Sequence, residues 1–305
     1  MRFFDPAVQK TVMERIELER DMEEAIRLEQ FVLYYQPQID INDAVIGAEA
    51  LIRWQHPTRG LVPPAEFIPM AEENGMIARI GAWVLHQACS QLGRWAEIPE
   101  FSNLTVAINV SARQFRDSNF VRDVTTSVRQ AGIDPGLLKL ELTESQLAVN
   151  MQEIIASMVE LSNLGIRFSL DDFGTGYSSM AYLKLLPLDQ LKIDRSFIRD
   201  LLTDPNDAAI ASIIIALSQS LGLTTVAEGV ENREQKRALL NMGCTLFQGF
   251  LFSVPLAVKD FERYLTRRNA AAAAAGHGDQ TDQPEGAAQA EETGQPAADE
   301  SRRAV

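Results

Sequence analysis

Eight short segments rich in β-branched and aromatic residues recur along the chain, and their spacing constrains the fold more than any other feature. They fall at residues 32–39, 47–54, 105–112, 138–143, 167–172, 191–197, 224–230 and 245–252. After the second, nearly every gap carries a helical pattern. Residues 148–164 repeat Ile154, Ile155, Met158 and Leu161 at helical spacing, and residues 207–221 do the same with Ile210, Ile213, Ile214 and Leu217. Gly132, Gly165, Gly222 and Gly243 stand where such helices would stop. Eight strands alternating with helices predict an α/β fold, a (β/α)8 TIM-like barrel. One gap breaks the rule: residues 40–46 are too few for a crossover helix, so the first two strands must form an antiparallel hairpin.

The rest of the sequence fits around that barrel. A chain of 305 residues with 46% hydrophobic and 23% charged composition has material for a large core. Its net charge of −14 excludes a backbone grip on polymeric nucleic acid, which needs clustered lysine and arginine. Cys89 and Cys244 lie far apart in apolar stretches with no ligand-like spacing, so both are read as reduced core residues. The first residues hold no apolar signal stretch, and the longest nearly apolar run, 208–217, is about half a membrane span. The expectation is a cytoplasmic protein with no membrane segment.

Three units are expected: a linker helix over 1–24, the barrel over 25–268, and a disordered acidic, alanine-rich tail over 269–305. The helix starts at Asp5-Pro6 and carries Val8, Val12 and Ile16 at i+4 spacing, as a connecting or dimerising helix would; the rival reading is a helix that closes the bottom of the barrel. The tail has too few apolar residues to offset its ordering entropy, and the body stays acidic once the tail's seven acids and two arginines are set aside.

Several strands place polar residues on one alternating face: Glu49 with Leu51 and Arg53, Asn109 with Ser111, Glu141 with Lys139, Asp171 with Ser169, Lys192 with Asp194, Glu228 with Val226, and Gln248 with Phe250. Carboxylates in a barrel interior cost several kcal/mol each unless paired or metal-bound. Acids on most strands ask for a cation, and an all-oxygen set (Glu49, Asn109, Glu141, Asp171, Asp172, Glu228) suits Mg2+ or Mn2+ rather than Zn2+. The adjacent pair Asp171-Asp172 suggests two ions bridged by one carboxylate, an arrangement that serves in-line phosphoryl displacement. Lys192 is placed to hold a water or to neutralise developing charge. An enolase-like barrel with a lysine base is the competing chemistry, disfavoured by the paired aspartates and a single inward lysine. His56 is read as a loop hydrogen-bonder, and His86, near Trp83 and Leu85, as a structural residue of an apolar helix face.

The motifs then identify a resemblance. GAEALIRWQHP around Glu49, YYQP at 34–37, INVSARQF at 108–115, ELTES at 141–145, DDFGTGYSS at 171–179, LKIDRSF at 191–197, AEGVE at 227–231 and QGFLFSVP at 248–255 resemble the EAL-domain phosphodiesterases of cyclic di-GMP, in the family's order. The resemblance covers about residues 25–265. It implies a barrel with an antiparallel first strand and a Mg2+- or Mn2+-dependent opening of cyclic di-GMP to linear 5′-pGpG. By similarity, Glu49, Asn109, Glu141 and Asp171 bind one ion, and Asp171, Asp172 and Glu228 attend a second. Lys192 resembles the lysine that orients the catalytic water, and Gln248 a glutamine beside it. Gln36, Arg53 and Asp194 match positions near the substrate; Glu144 and Glu231 match acids that anchor the lid after Asp172. A homodimer through 177–186 and an upstream sensor or cyclase partner are also implied. The alternative within the resemblance is a receptor that binds the nucleotide without hydrolysing it.

Overall fold

The computed structural model describes residues 6–148, 151–176 and 183–276. The order of elements is a long helix α1 (Pro6–Arg27), strands β1 (Phe31–Asp40), β2 (Val45–His56) and β3 (Gly60–Val62), then helices α2 (Pro64–Asn74) and α3 (Ile77–Ala96). β4 (Thr105–Asn109), α4 (Ala112–Phe115), α5 (Phe120–Ala131), β5 (Leu138–Thr143), α6 (Met151–Asn163), β6 (Arg167–Phe173) and β7 (Gln190–Ile193) follow. The chain closes with α7 (Arg195–Arg199), α8 (Pro205–Ser220), β8 (Thr224–Ala227), α9 (Arg233–Met242), β9 (Leu246–Phe247), β10 (Leu256–Ala257) and α10 (Val258–Gly276).

β2, β4, β5, β6, β7, β8 and β9 pair in parallel, while β1 runs antiparallel to both β2 and β9 and closes the barrel between them. The reversal follows from a four-residue turn that leaves no length for a crossover. The fold is therefore the expected (β/α)8 barrel with a reversed first strand. β3 and β10 are short additions at its two ends in the sheet order.

The outward faces of the strands are apolar because helices cover them. Ile108, Leu138, Leu140, Phe168, Leu170, Leu191 and Ile193 are all buried there, and each such side chain contributes about 1.5–3 kcal/mol. Gly132 and Gly243 end α5 and α9 in the left-handed conformation that a side chain would disfavour. Several strands stop earlier than their β-rich sequence suggests. Ser111 leaves the sheet to cap α4 with a capping box, and Asp194 caps α7 through the Ser196 N–H. The last segment forms only two strand residues, and Phe250, expected on the inner face, is 64% exposed.

α1 departs from the rival reading of a helix at the bottom of the barrel. Because β1 is reversed, its first residue Phe31 lies opposite Trp54 near the C-terminal end of β2, so α1 arrives at the end where the parallel strands finish. Leu18, Met22 and Ala25 are buried in the core beside Phe31, Trp54 and Phe67. Asp21 meets His56 Nε2 at 3.2 Å and Glu19 accepts from Asn74 at 3.0 Å. The His56 Nδ1 accepts from the Thr58 and Arg59 N–H groups, which confirms its hydrogen-bonding role in the hairpin. His86 is a correction: α3 turns Val84, Leu85, Ala88 and Cys89 inward, and His86 is exposed. α10 continues through the alanine run to Gly276, in keeping with alanine's helix propensity; the rest of the expected tail lies outside the described residues, as do residues 177–182 of the expected dimer surface.

Among the described residues no helix is long and apolar enough to cross a membrane. Cys89 and Cys244 are buried, and burial pushes each thiol up to about 12. Neither is expected to react with a disulfide reagent at pH 8 in the folded protein, and both are expected to titrate once urea unfolds it. Fast labelling of either thiol before unfolding would contradict the packing described here.

Candidate active site

The ladder register carries the polar residues to one level of the barrel. Gln36 on β1 lies opposite Glu49 on β2, and Asn109 on β4 lies opposite Glu141 on β5. Beyond them Asp171 and Lys192 follow on β6 and β7, Glu228 comes directly after β8, and Gln248 directly after β9. At the centre stands Lys192, fully buried. Its Nζ lies 2.6 Å from Glu228, 2.8 Å from Glu141, 3.3 Å from Asp171 and 3.5 Å from Glu49.

Two adjacent aspartates reach this one site because β6 is irregular there. Between Leu170 and Phe173 the register against β7 slips by one residue, and Asp172 takes a left-handed backbone with φ 53°. Regular alternation would send Asp171 and Asp172 to opposite faces; the bulge lets carboxyl oxygens of both lie within 4.8 Å of one from Glu228. A non-glycine residue in this region is uncommon, and aspartate is among those that tolerate it best.

The carboxylates do not share one electrostatic state. Burial raises Glu49, but Lys192 and hydrogen bonds from Gln248 and Asn109 outweigh it and hold its carboxyl below the ordinary range. Asn109 Nδ2 and Gln248 Nε2 each donate at 2.6 Å, one to each Glu49 oxygen. Glu141, more deeply enclosed, is pushed up to about 7 by burial against the pull of Lys192. Burial and the charge of Asp171 push Asp172 up to about 6, and burial holds Glu228 well above the carboxylate range. Burial works against the Lys192 charge, yet the four surrounding carboxylates prevail and keep it well above the usual lysine value.

This set is short of positive charge. Five carboxylates (Glu49, Glu141, Asp171, Asp172 and Glu228) face one ammonium, and Glu141 Oε1 is buried with no hydrogen-bond partner. An orphaned carboxylate oxygen in an all-oxygen cluster fits a hard divalent cation. One expectation needs correcting: Lys192 is not the only inward lysine. Lys139, two residues below Glu141 on the same face, is buried, donates to Gln190 at 2.8 Å, and is lowered by burial to about 8.

Around the cluster opens a cleft of about 930 Å3 lined by Gln36, Arg53, Asp172, Asp194, Glu228, Glu231 and Gln248 among others. Arg53 is half-buried, bonds the Ile52 carbonyl and lies 5.8 Å from the Tyr34 ring centroid. Hydrogen bonds from Ser196 lower Asp194 despite its burial. Glu144 accepts from the Gly174 and Gly176 N–H groups at 2.9 and 3.1 Å and so holds the turn that follows Asp172. Glu231 lines the cleft and its N–H donates to Gln235. Arg195, Ser196 and Arg199 are among the lining residues that were not singled out from the sequence. Arg195 and Ser196 follow Asp194 in a segment read as strand, Arg199 lies two residues beyond that segment, and the turn into α7 brings all three to the cleft. Gln38 was also missed; it shares the inner face with Gln36, two residues away.

A (β/α)8 barrel with a reversed first strand and an acidic, oxygen-lined mouth built around a buried lysine is a narrow class. The chain belongs to the EAL domain family, whose model matches residues 19–255. It is 42% identical over 255 residues to the bifunctional diguanylate cyclase/cyclic di-GMP phosphodiesterase MucR of Pseudomonas aeruginosa, covering 83% of this chain and 37% of that one. It is also 42% identical over 265 residues to the cyclic di-GMP phosphodiesterase NbdA of the same organism, covering 87% of this chain and 34% of that one. The chain thus spans about a third of the length of these curated relatives. A solved structure of the P. aeruginosa MucR phosphodiesterase in complex with c-di-GMP superposes with a TM-score of 0.78 at 42% identity, covering 80% of this chain and 99% of that one.

Proposed function

We propose that this chain hydrolyses cyclic di-GMP to linear 5′-pGpG, with Mg2+ or Mn2+ as cofactor. The observation that carries the reading is the convergence of four carboxylates on one buried lysine, with Asp172 and Asn109 beside them and an acceptor oxygen of Glu141 left unpaired. Glu49, Asn109, Glu141 and Asp171 would hold one ion, and Asp171, Asp172 and Glu228 a second. When bound, such ions lower the pKa of water and offset phosphate charge.

The chain's own groups supply positioning. Lys192 stays charged among its carboxylates, so it donates to the attacking water or to the developing oxyanion and is no general base. Asn109 and Gln248 fix both oxygens of Glu49. The water oxygen forms the new bond to phosphorus as the P–O3′ bond breaks. Water gives up one proton, the departing 3′ oxygen takes one, and the product keeps a 5′-phosphate. Arg53, Gln36 and Asp194 line the cleft where the second phosphate and the guanosines would lie, and Glu144 steadies the 174–176 turn beside them. A homodimer, an upstream sensor or cyclase partner, and work in the cytoplasm belong to the same reading.

The test is chromatography of cyclic di-GMP after incubation with the chain in Mn2+, in Mg2+ and in EDTA. Linear pGpG is expected with either metal and not with EDTA. Glu49→Ala is expected to lower kcat by about a hundredfold or more, as loss of a ligand and its two donors would. Nucleotide binding without turnover in saturating Mn2+ would replace the enzyme with a receptor.

A further inference from the structure

Gln38 is fully buried in the barrel, two residues from Gln36 on the same inner face of β1. Its Nε2 donates to Gln248 Oε1 at 3.1 Å. Gln248 in turn uses its amide nitrogen twice, toward Glu49 Oε2 at 2.6 Å and Gln36 Oε1 at 3.1 Å. Gln36 passes the chain of bonds to the Ser253 carbonyl at 3.2 Å. A primary amide can turn over and exchange its donor and acceptor ends, so the function of Gln248 depends on which end faces Glu49.

The neighbours fix that choice. If Gln248 turned over, its oxygen would face the Glu49 carboxylate and its NH2 would face the NH2 of Gln38: acceptor against acceptor and donor against donor. Among the described residues, Gln38 therefore supplies the one donor that holds the Gln248 oxygen away from Glu49. It does so at a disadvantage to itself, since Gln38 Oε1 is buried with no partner. A buried amide with one end unsatisfied is a poor structural choice beside an apolar side chain of similar size. We infer that Gln38 is a positioning residue, retaining its amide in the barrel interior to hold Gln248 with its donor end on Glu49.

The inference rests on the hydrolytic reading, and its test separates the two. Gln38→Met keeps the volume and removes the donor. Its Tm is expected to equal or exceed that of wild type, because the orphaned oxygen goes with the amide. With cyclic di-GMP its kcat is expected to fall about tenfold, and Mn2+ affinity measured by calorimetry to weaken by about the same factor, the low end of what loss of a ligand's supporting hydrogen bonds costs. In a Gln248→Met background, Gln38→Met is expected to have no further effect, because there is no amide left to orient. Unchanged Mn2+ affinity in Gln38→Met, or an effect that persists undiminished in the Gln248→Met background, overturns the assignment. Wild-type chain that fails to hydrolyse cyclic di-GMP overturns the hydrolytic reading, and the Mn2+ titration still decides the role of Gln38.

Discussion

Lys192→Met is expected to lower kcat about a thousandfold and, in EDTA, to lower stability by about 3 kcal/mol. The first effect follows from losing what is, among the described residues, the only charged donor in contact with these four carboxylates. The second follows because methionine, unbranched like lysine but one atom shorter, leaves those carboxylates buried together with no cation. Glu141 and Glu228, which burial already pushes upward, can relieve part of that repulsion by taking up protons, so the cost falls at the lower end for a broken buried ion pair. A drop in Tm of roughly 5–10 °C is the corresponding signature, and Mn2+ is expected to recover most of it. Thermal melts with EDTA and with Mn2+, run beside the chromatographic assay, check both halves. A variant as stable as wild type in EDTA would mean that the four contacts do not hold charge as drawn.

Gly249→Ala is expected to destabilise the fold by about 3 kcal/mol, the upper range for overpacking. A Cβ at this position would sit 2.2 Å from the Val230 carbonyl oxygen and 2.3 Å from its nitrogen. Those are backbone atoms held by the Val230 N–H to Gln248 carbonyl bond and the Leu251 N–H to Val230 carbonyl bond, so no side chain can swing aside. Relief would have to come from moving Gln248 away from Glu49, and activity should fall along with stability. Urea unfolding of the variant measures the first and the pGpG assay the second. A loss under about 0.5 kcal/mol, the range of an ordinary surface change, would show that the contact is looser than described.

Much of the barrel was legible in the sequence because strand and helix periods differ, and because a seven-residue gap cannot hold a crossover helix. The reversed first strand followed from that arithmetic alone. The acids were legible for a related reason: buried carboxylates repeated on most strands have no structural economy without a cation. Other features depend on contacts that periodicity does not contain. Phe250 alternates correctly with Gln248 but stands outside, since the strand gives way after Phe247 to the close approach at Gly249. His86 lies near apolar residues in sequence, yet the packed face of α3 runs through Val84, Leu85 and Ala88. Asp172 shares a site with Asp171 only through the bulge against β7. Gln38 could have been found by counting two residues from Gln36, but nothing short of coordinates shows which way its amide points.

Reversing a single strand also relocates the doorway through which the chain comes into the barrel. In an all-parallel barrel the first strand starts at the floor, and the chemistry sits at the ceiling. Here α1 delivers the chain at the ceiling, where Asp21 grips His56 at the end of β2. From His56 an unbroken strand runs seven residues to Glu49, a strut of about 23 Å at the usual rise. One continuous strand thus joins the α1 contact at His56 to the carboxylate whose two oxygens Asn109 and Gln248 hold, without crossing the body of the protein.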